Sequence, residues 1–78
     1  MTTTPNHTID ITTEFCPMTF VRTRLALDRM KSGEILLVRL RGAEPEQNVP
    51  RTAEQLGHIV LHRDVDADGI TSLWIRRA

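Results

Sequence analysis

A chain of 78 residues with 10 basic and 10 acidic side chains, 3 histidines and one cysteine makes one small domain. Its 40% apolar content is enough for folding, but so short a chain commits nearly all of it to one core, with nothing left to wall a deep enclosed substrate cavity. Zero formal net charge gives no electrostatic footprint for nucleic acid or an anionic membrane, and a single thiol excludes an intrachain disulfide and a multi-thiolate zinc site.

Residues 1–6 are a polar, unpatterned lead, expected to fray, with neither a basic n-region nor an apolar h-region. The longest strictly apolar run is Ile35 to Val38, so the chain is expected to be soluble and cytoplasmic, without membrane contact. A single domain is expected over 7–78. Ile9 and Ile11 alternate with Thr8, Asp10 and Thr12, which reads as a half-buried strand over 7–12. Pro17 to Lys31 reads as a helix with Cys16 as N-cap, since proline opens it and Gly33 follows its end. Ile35 to Leu40 is too short and too continuously apolar for another amphipathic helix and reads as a central strand.

Gly42 to Asn48 is polar, with Pro45 and Pro50 as breakers, and Asn48 is expected to cap a short helix through Leu56 that Gly57 ends. His58 to Arg63 and Ile70 to Arg76 read as strands joined at the Asp68-Gly69 hairpin signal. The order βαβαββ predicts an α/β (α+β) two-layer sandwich: a four-stranded mixed sheet with two helices on one face.

On the first helix, Phe20, Thr23, Leu27 and Met30 share one face and are the expected core stripe. Met18, Val21 and Leu25 form a second apolar line running to Cys16. Two readings of that line are open, scattered apolar surface wedged against a loop and a docking ridge beside the thiol. Cys16 itself is a buried filler, a lone metal ligand or a reactive thiol. A helix N-terminus favours the thiolate through its unpaired N–H groups and dipole, whereas free cysteine is among the most buried residue types.

Taken together, Ile9-Asp10, Cys16-Pro17 opening a helix that closes at Met30-Lys-Ser-Gly33, the strand Ile35 to Leu40, Asn48-Val-Pro50 and Leu56-Gly-His58-Ile-Val resemble the TusA (SirA-like) sulfur-carrier family over residues 9–76. In that family the cysteine of a Cys-Pro-x-Pro motif opens the first helix of a two-layer βαβαββ fold and carries sulfane sulfur as a persulfide. The resemblance implies a protein-persulfide sulfurtransferase with Cys16 as carrier, Pro17, Met18 and Thr19 as the supporting helix start, and no cofactor or metal. It implies a cysteine desulfurase or rhodanese-type donor and a downstream acceptor protein, in tRNA thiolation or other sulfur metabolism. Val21, Arg22 and Leu25 are the candidate docking residues. Arg22, Arg24 and Arg29 would steer an acidic partner, unless they are a solvated face with Arg24 and Asp28 paired at i, i+4.

The sequence departs from the motif at Thr19, where the family has its second proline, and at Thr13-Glu14, where the family has Gly-Leu. Thr19 restores a backbone N–H, which is expected to donate to the Cys16 sulfur and favour the thiolate. Glu14 would oppose this if its carboxylate points to the thiol. A reading from another class is a partner-binding or regulatory module of the same fold with an inert Cys16. Small sandwiches of this kind also bind RNA, but zero net charge and the lack of a basic, aromatic-rich strand argue against direct nucleic-acid binding.

Two further signals look functional. Asp64-x-Asp66-x-Asp68-Gly69 matches half of a calcium loop but has Ile75 where the twelfth-position glutamate belongs, so it reads as a solvated turn. His58 and His62 fall on one face of a strand at i, i+4, with Val60 and Trp74 on the same helix-free face, beside Arg39 or Arg41. No dense ligand spacing supports a metal there. Trp74 marks a dimer or partner surface or simply covers an open sheet face.

Overall fold

The computed structural model describes residues 4–15 and 18–78, so Cys16, Pro17 and the expected cap at the helix start lie outside the described residues. The elements are β1 (His7–Asp10), α1 (Met18–Asp28), β2 (Ile35–Arg41), α2 (Ala43–Gln55), β3 (Ile59–Val65) and β4 (Ile70–Arg76). They form an α+β fold with one mixed sheet in the order β1-β2-β4-β3. β1 runs parallel to β2, and β4 runs antiparallel to both β2 and β3. The strands alternate: Leu36, Val38 and Leu40 of β2 and Thr71, Leu73 and Ile75 of β4 are buried, and the residues between them are half-exposed. The helices cover the buried face, and Ile11, Leu27, Met30, Val49 and Ala53 complete the core.

β1 stops at Asp10, two residues short of the expected end. The Asp10 carboxylate accepts the Thr12 hydroxyl at 2.7 Å and the Thr12 N–H at 2.9 Å, a turn that competes with the ladder. Those bonds hold the carboxyl below its ordinary value. At the other end, Asn6 is tied to Ile35 by two bonds of 2.8 Å.

The core face of α1 is rotated from expectation. Thr19, Thr23 and Leu27, followed by Met30, are buried, whereas Phe20 is only half-buried. The helix end is closed from outside: Arg77 Nε donates to the Leu27 carbonyl at 2.7 Å, and the Glu34 carboxylate accepts the Lys31 N–H at 2.8 Å.

α2 corrects the expected short helix. It starts at Ala43 after Gly42, whose φ of 109° suits only glycine, and it contains both prolines read as breakers. Pro45 sits in the first turn, where an N–H has no partner to lose; Pro50 is interior. Burial of Pro45, Val49 and Ala53, one face at a spacing of four, is what holds this helix on the sheet. Asn48 caps nothing; its carbonyl accepts the Thr52 hydroxyl at 2.7 Å. The expected stop does hold: Gly57 (φ 92°) donates to Glu54 and His58 to Ala53, both at 3.0 Å, which is a Schellman closure.

In β3 the ladder shifts between Val60 and His62, and this bulge overturns the expected face. Val60 pairs with Ile75 and packs on the core side, while His62 pairs with Trp74 on the open side. His58 precedes the strand, so the two histidines share no face. In the β3–β4 turn the Asp66 carboxylate accepts the N–H groups of Asp68 (2.9 Å) and Ile70 (3.1 Å), the structural use expected of an acidic turn.

Candidate functional site

The topology decides which parts of the chain meet at the start of α1. β3 runs parallel to β2, because both pair antiparallel with β4. Each helix therefore returns along the sheet, and both helices start at the end where β1 and β2 finish. Between these two junctions lies an open groove of about 480 Å³, lined by Thr12–Phe15 on one side and Arg41–Pro45 on the other. Crevices beyond the carboxyl ends of parallel strands are the usual ligand positions of α/β sheets. The polar stretch from Gly42, with Pro45 in it, carries no local signal of a helix start, so the sequence alone does not bring the Arg41–Pro45 junction here.

The described residues on either side of the thiol-proline pair are tied to each other. The Phe15 carbonyl accepts the Met18 N–H at 2.7 Å and the Thr19 N–H at 3.3 Å, and Glu14 N–H donates to Ile11 at 3.1 Å. The Thr19 N–H expected to serve the Cys16 sulfur is thus engaged by Phe15. The Glu14 carboxylate forms an ion pair with Arg22 at 3.2 Å, so Glu14 is partly neutralised and Arg22, a candidate docking residue, is engaged within the chain.

Phe15 is 84% exposed and Met18 45%, so both residues that flank the thiol-proline pair present large apolar side chains to solvent. Val21 (36%) and Leu25 (48%) continue that surface along α1. The ridge Met18-Val21-Leu25 is therefore exposed, not wedged against a loop. Phe15 was missed in sequence; its only signal there was an aromatic outside any periodic pattern, directly before the motif. Arg24 and Asp28 face each other at 3.9 Å, the solvated pair expected at i, i+4.

The histidines are scattered. His7 Nε2 lies 3.3 Å from Glu34, His58 Nδ1 accepts the Ala78 N–H at 3.0 Å, and His62 packs on Trp74 with ring centroids 5.1 Å apart. Among the described residues no three His, Cys, Asp or Glu side chains are grouped to hold a metal ion. A second open groove of about 680 Å³ runs between α2 and β3, lined by residues including Glu46, Arg51 and Arg63. It shares no residue with the first groove, and only the smaller groove is walled by Phe15, the residue next in sequence to the thiol, which makes the smaller groove the better candidate. Glu46 there is committed to structure, accepting the Thr71 hydroxyl and lying 3.6 Å from Arg63.

No helix among the described residues is long and apolar enough to cross a membrane. Residues 7–77 match the family model described as Sulfurtransferase TusA. The chain is 50% identical over 72 residues to a protein of Archaeoglobus fulgidus described as a candidate sulfur carrier, covering 92% of this chain and 82% of that one. It is 36% identical over 71 residues to YedF of Escherichia coli K12, also described as a candidate sulfur carrier, with 91% and 90% of the two chains covered. The crystal structure of a SirA-like protein from Desulfitobacterium hafniense superposes with a TM-score of 0.79 over 90% of this chain and 95% of that one, at 24% identity, and shares the fold. With nearly its whole length inside that family model and half of the aligned residues shared with one such relative, the chain belongs to the TusA sulfur-carrier family.

Proposed function

We propose that Cys16 accepts sulfane sulfur as a persulfide and relays it between a donor protein and an acceptor protein. The observation that carries this reading is family membership over residues 7–77, with the one thiol of the chain two positions in sequence before Met18, the first residue of α1. The exposure of Phe15 and Met18 on either side supports it, because exchange depends on access to the sulfur as well as on thiolate fraction. In loading, the Cys16 thiolate attacks the outer sulfur of a donor persulfide; the new S–S bond forms as the old one breaks, and the donor leaves as thiolate. A cysteine desulfurase or rhodanese-type protein fits the donor role, and an acceptor thiolate reverses the exchange on the far side. Met18, Val21 and Leu25 supply the apolar docking area for either partner.

The test is intact mass. Incubation with a desulfurase and cysteine, or with a rhodanese and thiosulfate, adds one sulfur atom to the wild-type chain and none to Cys16→Ser. Absence of an adduct from every donor returns the chain to the alternative of an inert-thiol binding module.

A further inference from the structure

The large apolar side chains exposed among the described residues fall into two groups. One is the surface beside the thiol-proline pair. The other, Leu56, Ile59, Leu61 and Val65, follows the end of α2 and runs along β3, and the function proposed above makes no use of it. Ile59 and Val65 are each 52% exposed. An apolar group of that extent on a sheet edge marks a surface that another chain covers.

β3 is an edge strand, because the sheet order β1-β2-β4-β3 leaves it with β4 as its one neighbour. The hairpin fixes which of its backbone groups are spare. Asp66 N–H donates to the Ile70 carbonyl at 3.0 Å, and in an antiparallel ladder bonded and non-bonded pairs alternate. Asp64 with Ser72 is then a bonded pair, whereas Arg63 opposite Leu73 and Val65 opposite Thr71 turn their N–H and C=O groups outward. Those outward groups find no backbone partner among the described residues. A row of alternating donors and acceptors is matched by the extended backbone of another chain. The bulge between Val60 and His62 confines that pairing to the run after it.

We propose that the edge of β3 pairs antiparallel with β3 of a second copy of this chain, about a twofold axis at Arg63. The charges select both a copy and this register. The groove that β3 forms with α2 carries Arg51 and Arg63 against Glu46 and Glu54, and the chain has zero formal net charge, so a copy meets no single-signed field. His62 and Asp64 lie on the helix-free face, since they pair with Trp74 and Ser72. A twofold at Arg63 sets each His62 opposite the Asp64 of the other copy, an imidazole N–H against a carboxylate. A twofold at Asp64 would instead set carboxylate against carboxylate. Each Arg63 lies 3.6 Å from its own Glu46, which offsets the charge brought together at the axis. Leu61 comes alongside Val65 of the copy. The result is one continuous sheet with all the helices on one face. Because β3 runs parallel to β2, the twofold turns the two α1 starts to opposite ends and leaves both free for other partners.

The test is sedimentation equilibrium of the full chain in a thiol reductant, which keeps Cys16 from linking copies. The junction is small, so the mass is expected to rise from one chain to two between about 10 µM and 1 mM. Arg63→Pro removes the outward N–H without removing a ladder bond, and it holds the mass at one chain, while Arg63→Ala still dimerises. Asp64→Lys, which places a cation opposite His62, weakens association by about tenfold. A wild-type mass of one chain at about 1 mM overturns the proposal and leaves the edge to a strand of a different protein. A dimer that persists undiminished in Arg63→Pro or in Asp64→Lys overturns it as well, because another face then joins the copies. So does dissociation of Arg63→Ala as complete as that of Arg63→Pro, which places the contact in the side chain. Should Arg63→Pro not fold, Asp64→Lys decides alone, and unchanged association in it overturns the pairing.

Discussion

His58 sits where a charge is unwelcome. Burial disfavours the imidazolium, the Arg77 guanidinium adds repulsion, and Asp28 offsets only part of this, so the pKa lies below the ordinary 6.5. The ring is also an acceptor, taking the Ala78 N–H on Nδ1, a role it loses when protonated. The unfolded chain therefore binds the proton more readily than the folded one. Stability from this group is present above pH 6.5 and falls away as pH drops through the folded value. Urea unfolding between pH 5 and 7 is expected to show wild type gaining stability with pH and His58→Gln losing that part of the slope. An identical slope in both would mean that His58 is not the source. Asp10 and Glu34, held down by bonds from Thr12 and from the Lys31 N–H, act in a separate window below the ordinary carboxylate values, where stability is lost as pH falls.

Among the elements, α2 is the one that resists propensity. A proline in a helix interior removes a donor and costs about 3 kcal/mol relative to alanine, yet Pro50 lies in the middle of an unbroken 13-residue helix. Pro50→Ala is accordingly expected to raise unfolding stability by about 1–3 kcal/mol, part of the helix gain being returned through a freer unfolded chain. A denaturant midpoint at or below that of wild type would contradict this. The same element shows where sequence legibility ends. Gly33, the continuous run of β2 and the Asp68-Gly69 turn are local signals, and all three elements they mark lie where expected, within a few residues at their ends. The stripe Pro45-Val49-Ala53 consists of two weakly apolar residues and one valine, so its period was too faint to outweigh two prolines. The bulge at β3 and the rotation of α1 that buries Thr19 ahead of Phe20 depend on packing between elements. The cysteine and its motif were legible; the exposed Phe15, the Glu14–Arg22 pair and the second wall of the groove were not, because each depends on residues brought together only by the fold.

As a whole the molecule has little margin. Ten buried apolar residues make the core cluster of the described chain, and a domain of this size holds about 5–15 kcal/mol of net stability. Leu73, fully buried at the centre of β4, touches that limit directly. Leu73→Ala is expected to cost about 2–5 kcal/mol and to lower Tm by roughly 10 °C or more, measured by thermal unfolding. A shift of only a degree or two would show that the core collapses around the loss.

The parallel pairing of β1 with β2 has one more consequence. His7 lies beside Leu36 and Arg76 beside Ile35, so the described chain enters and leaves the sheet at one end of its strands, while β1 finishes and α1 starts at the other. The fold thus behaves as a cartridge with its attachment points at the back. A further domain, a tag or a surface tether joined at either described terminus leaves the front face clear, and the protein can be built into a larger chain or immobilised on a bead without masking the residues that flank its thiol.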